Sequence, residues 1–142
     1  MDWYDVTSNM ISFFGDRWGN VHATIPVYFP NEGPAEENIE DAQWLRMSFI
    51  STRSDRVAVG GQLRIEAGIA VVNVFTPVNE GDGVAVSLNR DIQTIWEQAH
   101  ANGLPGNIHL GAPQPVPTGR DPRIKIYRSG VKIPFWFDHT PT

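Results

Sequence analysis

The 142-residue chain contains no cysteine, which excludes disulfide bonds, thiolate metal sites and cysteine nucleophiles. Long apolar runs are missing too. The longest purely apolar stretch, 69–72, is far shorter than the roughly 20 residues that a membrane-spanning helix needs. The first residues include Asp2 and Asp5 where a secretory signal carries Lys or Arg, and no apolar segment follows them. We therefore expect synthesis in the cytoplasm and no membrane partner.

Positive charge is scarce. Eleven Lys and Arg stand against 16 Asp and Glu, giving a formal net charge of −5. A protein that grips the nucleic-acid backbone needs clustered Lys and Arg, so the composition argues against that function. A mildly acidic wall would instead repel phosphates and leave DNA mobile beside it. Hydrophobic residues make up 41% of the chain, as in ordinary globular proteins, and we expect one domain over 1–142.

The spacings that mark metal and catalytic sites are also missing. The histidines form no His-x-His pair and no pair four residues apart, so no metal spacing exists in the sequence. They are His22, His100, His109 and His139. Asp138 precedes His139 as an acid–base pair would, but no Gly-x-Ser-x-Gly turn supplies a nucleophile. The segments Gly60-Gly61 and Gly81-Asp82-Gly83 do not match a phosphate-loop motif. We predict no catalytic residue, no metal and no cofactor, and hence a protein that is not an enzyme.

Hydrophobic periodicity predicts the element order α-β-β-(β)-β-α-β-β. A first amphipathic helix of roughly four turns begins near Trp3, with Gly15 and Gly19 as its stop, and a second covers about 84–100 and ends at Asn102-Gly103. Strands are predicted at 24–29, 44–50, 63–75, 108–110 and 124–137, and Val57 and Val59 suggest the further pairing strand shown in brackets. Short loops between successive strands indicate an α+β fold, with an antiparallel (possibly mixed) sheet and two helices packed on one face.

Two strands carry finer predictions. In the 63–75 strand the even positions change from polar to apolar, so we expect its far end to be covered on both faces. In the last strand the apolar parity switches, which predicts a bulge or turn at 128–130. Acidic residues at 36–41 predict a solvated loop or helical turn, and prolines within 111–122 predict an irregular extended loop.

Three tryptophans receive different predicted roles. Trp96 lies on the apolar stripe of the second helix, where we expect Trp96 and Ile95 to pack against Phe75 and Phe135 of the sheet. A stacking platform for a sugar or base is the weaker alternative. Trp44 and Trp136 have the opposite parity from the main apolar set of their strands. They are therefore candidates for a second covered face, which would be a subunit interface.

Segments of this chain resemble the tail terminator family of long-tailed bacteriophages and related gene-transfer particles. They are WLRMSF at 44–49, RIEAGIAVVNVFTP at 64–77 entering the loop EGDG at 80–83, DIQTIW at 91–96, and VKIPFWFD at 131–138. Their order and spacing carry the resemblance, which extends from about Ile25 to Asp138. The acidic segment 36–41 and the proline-rich segment 111–122 depart from the family pattern, so contacts there do not carry over.

The resemblance implies a homo-oligomeric ring, hexameric in such phages, that caps the finished tail tube. Such a ring ends tube polymerisation and presents a joining surface to the head-side connector or head-closure protein. Its partners would be other copies of itself, the tail tube protein and that connector, while DNA passes through the lumen without specific binding. The protein would be made in the host cytoplasm and reside in the neck of the virion.

Two alternatives stay open. One keeps the phage but assigns another neck position, such as a head-closure or tail-completion protein. The other is a small ligand-binding or enzymatic α+β domain. A deep pocket lined by Trp and by an ionisable residue with a perturbed pKa would favour the latter.

Two charged segments without apolar periodicity are further interface candidates. They contribute Arg53, Asp55, Arg56, Arg120, Asp121 and Arg123. The first segment is predicted to lie between strands and the second to lead into the last strand. Both mix charge signs, as a polar contact selected for specificity would, although both could equally be solvated loops. We expect at least one to contact a neighbouring subunit or the tail tube.

Overall fold

The computed structural model describes residues 2–30, 43–56, 64–77, 82–116, 119–121 and 126–139. Its elements are α1 (Trp3–Val21), β1 (Val27–Tyr28), β2 (Trp44–Arg56), β3 (Arg64–Pro77), α2 (Asp82–Glu97), β4 (His109–Leu110), β5 (Gln114–Pro115), β6 (Gly119–Asp121) and β7 (Ile126–His139). The predicted acidic loop at 36–41 lies outside the described residues. Within them, no helix has both the length and the apolar character needed to cross a membrane.

The described strands form one seven-stranded sheet in the order β1-β2-β3-β7-β4, with β5 and β6 also paired to β7. β1 runs parallel to β2, and every other pairing is antiparallel. β3 lies in the middle and pairs along its whole length with β7. The predicted α+β class, with two helices on one face of the sheet, is confirmed.

One face of the sheet packs against both helices. On β3 the even positions from Gly68 to Thr76 are buried, whereas the odd positions are half-buried. Directly opposed residues point to the same side, so Leu45 and Met47 of β2 join this face through Val74 and Val72. The core combines this face with the apolar sides of both helices: Val6, Met10, Phe14, Trp18, Leu45, Met47, Ala70, Val72, Val74, Leu88, Ile92, Ile95, Trp96, Val131, Ile133, Phe135 and Phe137.

Helix α1 does not stop where the glycines predicted. It continues through Gly15 and Gly19 to Val21, because Trp18 extends the apolar stripe by one more turn and is 1% exposed. The Trp18 indole N–H donates to the carbonyl of Ile25 at 2.9 Å, which fixes the chain after the helix. Burial of a large ring outweighs the helix-weakening effect of a glycine, which is about 1 kcal/mol.

Helix α2 ends at Glu97, before the predicted end near His100 and the predicted terminus at Asn102-Gly103. After α2 the chain continues in hydrogen-bonded turns to Gly103, whose φ of 109° is the left-handed conformation that glycine adopts freely. The Leu104 N–H then donates to the Ala99 carbonyl at 3.0 Å, which completes a C-terminal cap.

The predicted bulge at 128–130 is wrong. β7 pairs with β3 in one unbroken register from Ile126 to His139. Ile126 is 3% exposed and Val131 0%, although their parities differ. The change of the apolar residues from even to odd positions along β7 therefore reflects burial on both faces of the sheet at this end. Thr76 and Pro77, consecutive residues at the end of β3 and beyond the predicted 63–75 strand, are likewise both buried.

The boundaries of two predicted loops also change. Residues 53–56 belong to β2, where Arg53 pairs with Ala67 and Arg56 with Arg64 after a shift in register between Ser51 and Arg53. Within the predicted proline-rich loop, β5 and β6 form short ladders with β7. In both segments the backbone hydrogen-bond partners lie on strands distant in sequence, β3 for residues 53–56 and β7 for β5 and β6. The residues of the segments alone therefore do not indicate a strand.

Candidate functional site

The sheet surface that points away from α1 and α2 is the candidate functional site, and we call it the helix-free face. It comprises Trp44, Arg46, Ser48, Ile50 and Arg53 of β2, Ile65, Ala67, Ile69, Val71, Asn73 and Phe75 of β3, and Arg128, Lys132, Pro134, Trp136 and Asp138 of β7. Its centre is the cross-strand row Ile50–Ile69–Pro134. Ile50 is 54% exposed, so the middle of this face presents apolar surface to solvent.

Trp136 extends the apolar centre toward the β4 side of the sheet. Its side chain is 41% exposed, and its ring stacks on His109 with centroids 5.6 Å apart and an interplanar angle of 16°. Both His109 and Ala67 are direct cross-strand partners of Trp136, which holds the indole in place. A fixed and exposed indole is a common anchor of protein interfaces, because little side-chain entropy is lost on contact.

Trp44, predicted as an interface residue, is covered by its own chain. Its ring stacks on Phe75 at 3.9 Å and 10°, and Tyr28 meets it edge-on at 5.9 Å. Only 6% of Trp44 remains exposed. The Arg46 guanidinium lies 5.4 Å from the Trp44 ring centroid, in cation–π contact. At this end of the face Arg46 is therefore exposed and the tryptophan is not.

Charged side chains surround the apolar centre. Arg46, Arg53 and Arg128 are exposed and Lys132 is half-buried, while Asp138 is the exposed carboxylate at the far end. The described side chains of this face are thus mostly cationic, although the chain as a whole carries a net charge of −5. An apolar centre within a polar, charged rim is the usual anatomy of a protein–protein interface.

The two charged candidate segments are not brought together. Asp55 and Arg56 lie on β2 at the end where Arg64 and His139 pair, and only their backbones are described. Arg120 and Asp121 lie on β6, beside the opposite end of β7, and again only their backbones are described. Arg123 lies outside the described residues. Of this group, Arg53 lies on the helix-free face, and the backbone of Asp55 pairs with Ile65 of the same face.

A polar contact between the helices was not predictable from the sequence. His22 Nε2 lies 2.6 Å from Asp91 Oδ2, and the Trp18 ring packs on the imidazole with centroids 4.5 Å apart. The partners are 69 residues apart in sequence, so no local spacing announces the pair. His22 also borders an open groove of about 440 Å³ together with Val84 and Ser87. Within the described residues no group of three or more His, Asp or Glu could hold a metal ion.

The comparisons with known proteins bear on the fold. Twelve chains of solved structures match this chain significantly. One of them superposes over 100% of this chain and 99% of its own length, with a TM-score of 0.70 and 12% sequence identity. At that identity the similarity shows a shared fold alone. No protein-family model and no curated protein matches the chain.

Proposed function

We propose that the chain is a structural assembly subunit that forms the ring capping the tail tube of a long-tailed bacteriophage. The observation that carries the proposal is the helix-free face, where an exposed apolar centre spans three long strands inside a charged rim. Soluble monomers rarely leave such a patch exposed, and assembly would cover it. The protein acts by contact, without catalysing a reaction.

The resemblance to tail terminators supports the particular assembly. Three of the segments that carry it, 44–49, 64–77 and 131–138, fold into β2, β3 and β7, the strands that build the helix-free face. The fourth, 91–96, lies in α2 and contributes Ile95 and Trp96 to the core. The resemblance therefore falls on the elements that would give a subunit both its framework and its contact surface.

A ring requires each subunit to offer two different, complementary surfaces. On this proposal one axial side of the ring seats on the tail tube protein and ends its polymerisation. The other side receives the head-closure or connector protein. DNA passes the lumen without a sequence-specific contact, and the assembled ring resides in the neck of the virion.

The experiment measures assembly and tube length. Native mass spectrometry and negative-stain electron microscopy of the purified chain should show a closed annulus of six copies if the family pattern holds. Added to polymerising tail tube protein of the same phage, the chain should narrow the distribution of tube lengths. Tubes that keep growing past a bound ring would contradict the terminator function and favour another neck position. A stable monomer that binds a small molecule in the groove beside His22 would favour the ligand-binding alternative.

A further inference from the structure

The outer surface of the helical layer differs in charge from the helix-free face. Its exposed acidic side chains are Asp2, Asp5, Asp16 and Glu97. Its basic side chains are Arg90, which is exposed, and Arg17, which is half-buried. It also carries Tyr4, 76% exposed, and Val86, 55% exposed. We call this set of residues the helical outer surface. Acidic groups with exposed apolar side chains complement a cationic rim around an exposed apolar centre.

We propose that the helix-free face of one copy packs against the helical outer surface of the next copy. The contact is therefore head-to-tail. This inference rests on the proposed ring and adds the surfaces that form it. An open chain of copies keeps one unpaired face of each kind, one at either end, until the ring closes.

Net charge favours pairing of two different faces over pairing of two identical ones. The described side chains of the helix-free face include more cations, Arg46, Arg128 and Lys132 among them, than carboxylates, of which Asp138 is one. Two helical outer surfaces would likewise oppose mostly acidic groups. The head-to-tail arrangement brings a mostly cationic surface against a mostly acidic one, and electrostatic complementarity of this kind selects the partner surface.

Chemistry also favours a protein occupant over nucleic acid on the helix-free face. The centre of the face is aliphatic, formed by Ile50, Ile69 and Pro134. Trp136 is the exposed large aromatic that the described residues place there. A surface for single-stranded nucleic acid needs several stacking rings along a cationic groove. Here the cations stand around the apolar centre, as at the rim of a protein interface.

The test is a charge swap between the two surfaces. A sheet variant carries Arg46→Glu and Arg128→Glu, and a helix variant carries Asp16→Lys and Glu97→Lys. All four residues are exposed in the described structure, so each variant should keep the wild-type melting temperature. Each variant alone should lose at least about tenfold in self-association, measured by sedimentation, because every contact now opposes like charges.

Mixing the two variants should restore the ring, because every contact between unlike copies again joins opposite charges. The matched control is a chain with all four substitutions, which exchanges the signs of the two surfaces and should assemble alone. If the sheet variant forms rings at wild-type strength, the proposed contact is wrong although the ring stands. A wild-type chain that stays monomeric contradicts both the contact and the proposed function.

Cross-linking identifies which faces meet. The chain has no cysteine, so Ser48→Cys on the helix-free face and Tyr4→Cys on the helical outer surface each introduce a single thiol. A short bismaleimide should join the two variants to each other within the assembled ring. Links between two Ser48→Cys copies would instead indicate face-to-face pairing and overturn the proposal. Wild-type binding to single-stranded DNA that disappears in the sheet variant, with self-association unchanged, would assign the face to nucleic acid and overturn it as well.

Discussion

The two faces of the central strand are both rich in apolar residues, yet only one is covered by helices. Toward the helices, Ala70, Val72 and Val74 are fully buried, while Ile69 and Val71 on the other side stay half-buried. The alternation of residues along β3 does not show whether the odd or the even positions face the helices, because both sets are apolar. The difference teaches that β3 has an apolar pattern suited to cover on both faces, and that the described chain supplies helices for one of them.

The largest expected effect is at Trp96, on the helix-covered side. Its ring stacks on Phe14 at 5.6 Å and 2°, contacts Phe13 at 5.5 Å, and is 2% exposed. Trp96→Ala should reduce the free energy of unfolding by about 3–5 kcal/mol, measured by urea denaturation, because it leaves a cavity between the two helices. A loss of less than about 1 kcal/mol would mean that the helices repack around the smaller side chain. The helix-covered side would then be no more tightly packed than the helix-free face.

Trp96→Phe is the matched control. The Trp96 indole N–H has no hydrogen-bond partner among the described atoms, so the smaller ring removes volume and no polar contact. It should cost clearly less than the alanine variant. The sequence-based expectation that Trp96 packs on Phe75 is wrong, since Phe75 lies on the other face and stacks on Trp44.

The second effect tests how closely a helix approaches the sheet at Gly68. A Cβ atom there would stand 2.6 Å from the Trp3 ring and 2.8 Å from the Ile50 carbonyl oxygen. Gly68→Ala should therefore cost about 1–3 kcal/mol through overpacking. Gly19→Ala is the control, since nothing lies within 4 Å of its added Cβ and the helix should gain up to about 1 kcal/mol. Combining Gly68→Ala with Trp3→Leu should restore part of the loss in a double-mutant cycle.

Much of the fold was predictable because its signals are local. The amphipathic stripe of α2, the alternation at the start of β2 and the left-handed turn at Gly103 follow from residues close in sequence. The extension of α1 past Gly15 was missed because the glycines were given more weight as a helix end than Trp18, the apolar residue that continues the stripe. The strand at 53–56 was missed because its partners lie on β3, across a chain reversal.

The candidate site was predictable only in part. Parity alone separated Trp44 and Trp136 from the main apolar set of their strands, and both do lie on the helix-free face. Parity could not show that Phe75 covers one ring while the other stays exposed, because that depends on cross-strand neighbours. The rim of cations likewise emerges only when three strands are placed side by side, and the His22–Asp91 contact depends on how α1 packs against α2.

The smallest expected effect on stability is at Trp136, the counterpart of Trp96 on the helix-free face. Although both are tryptophans, 41% of Trp136 is exposed, and its stacking partner His109 is exposed too. Trp136→Ala should therefore change the free energy of unfolding by about 1 kcal/mol or less, since the truncated site refills with water instead of leaving a cavity. The dependence of unfolding on urea concentration should stay unchanged, because the monomer buries nearly the same surface. A loss that matches Trp96→Ala would show that the helix-free face is packed as tightly in the monomer as the covered one. A small loss in the free energy of unfolding together with impaired self-association would separate Trp136 from Trp96. The Trp136 indole would then stabilise the contact between copies and not the fold of the monomer.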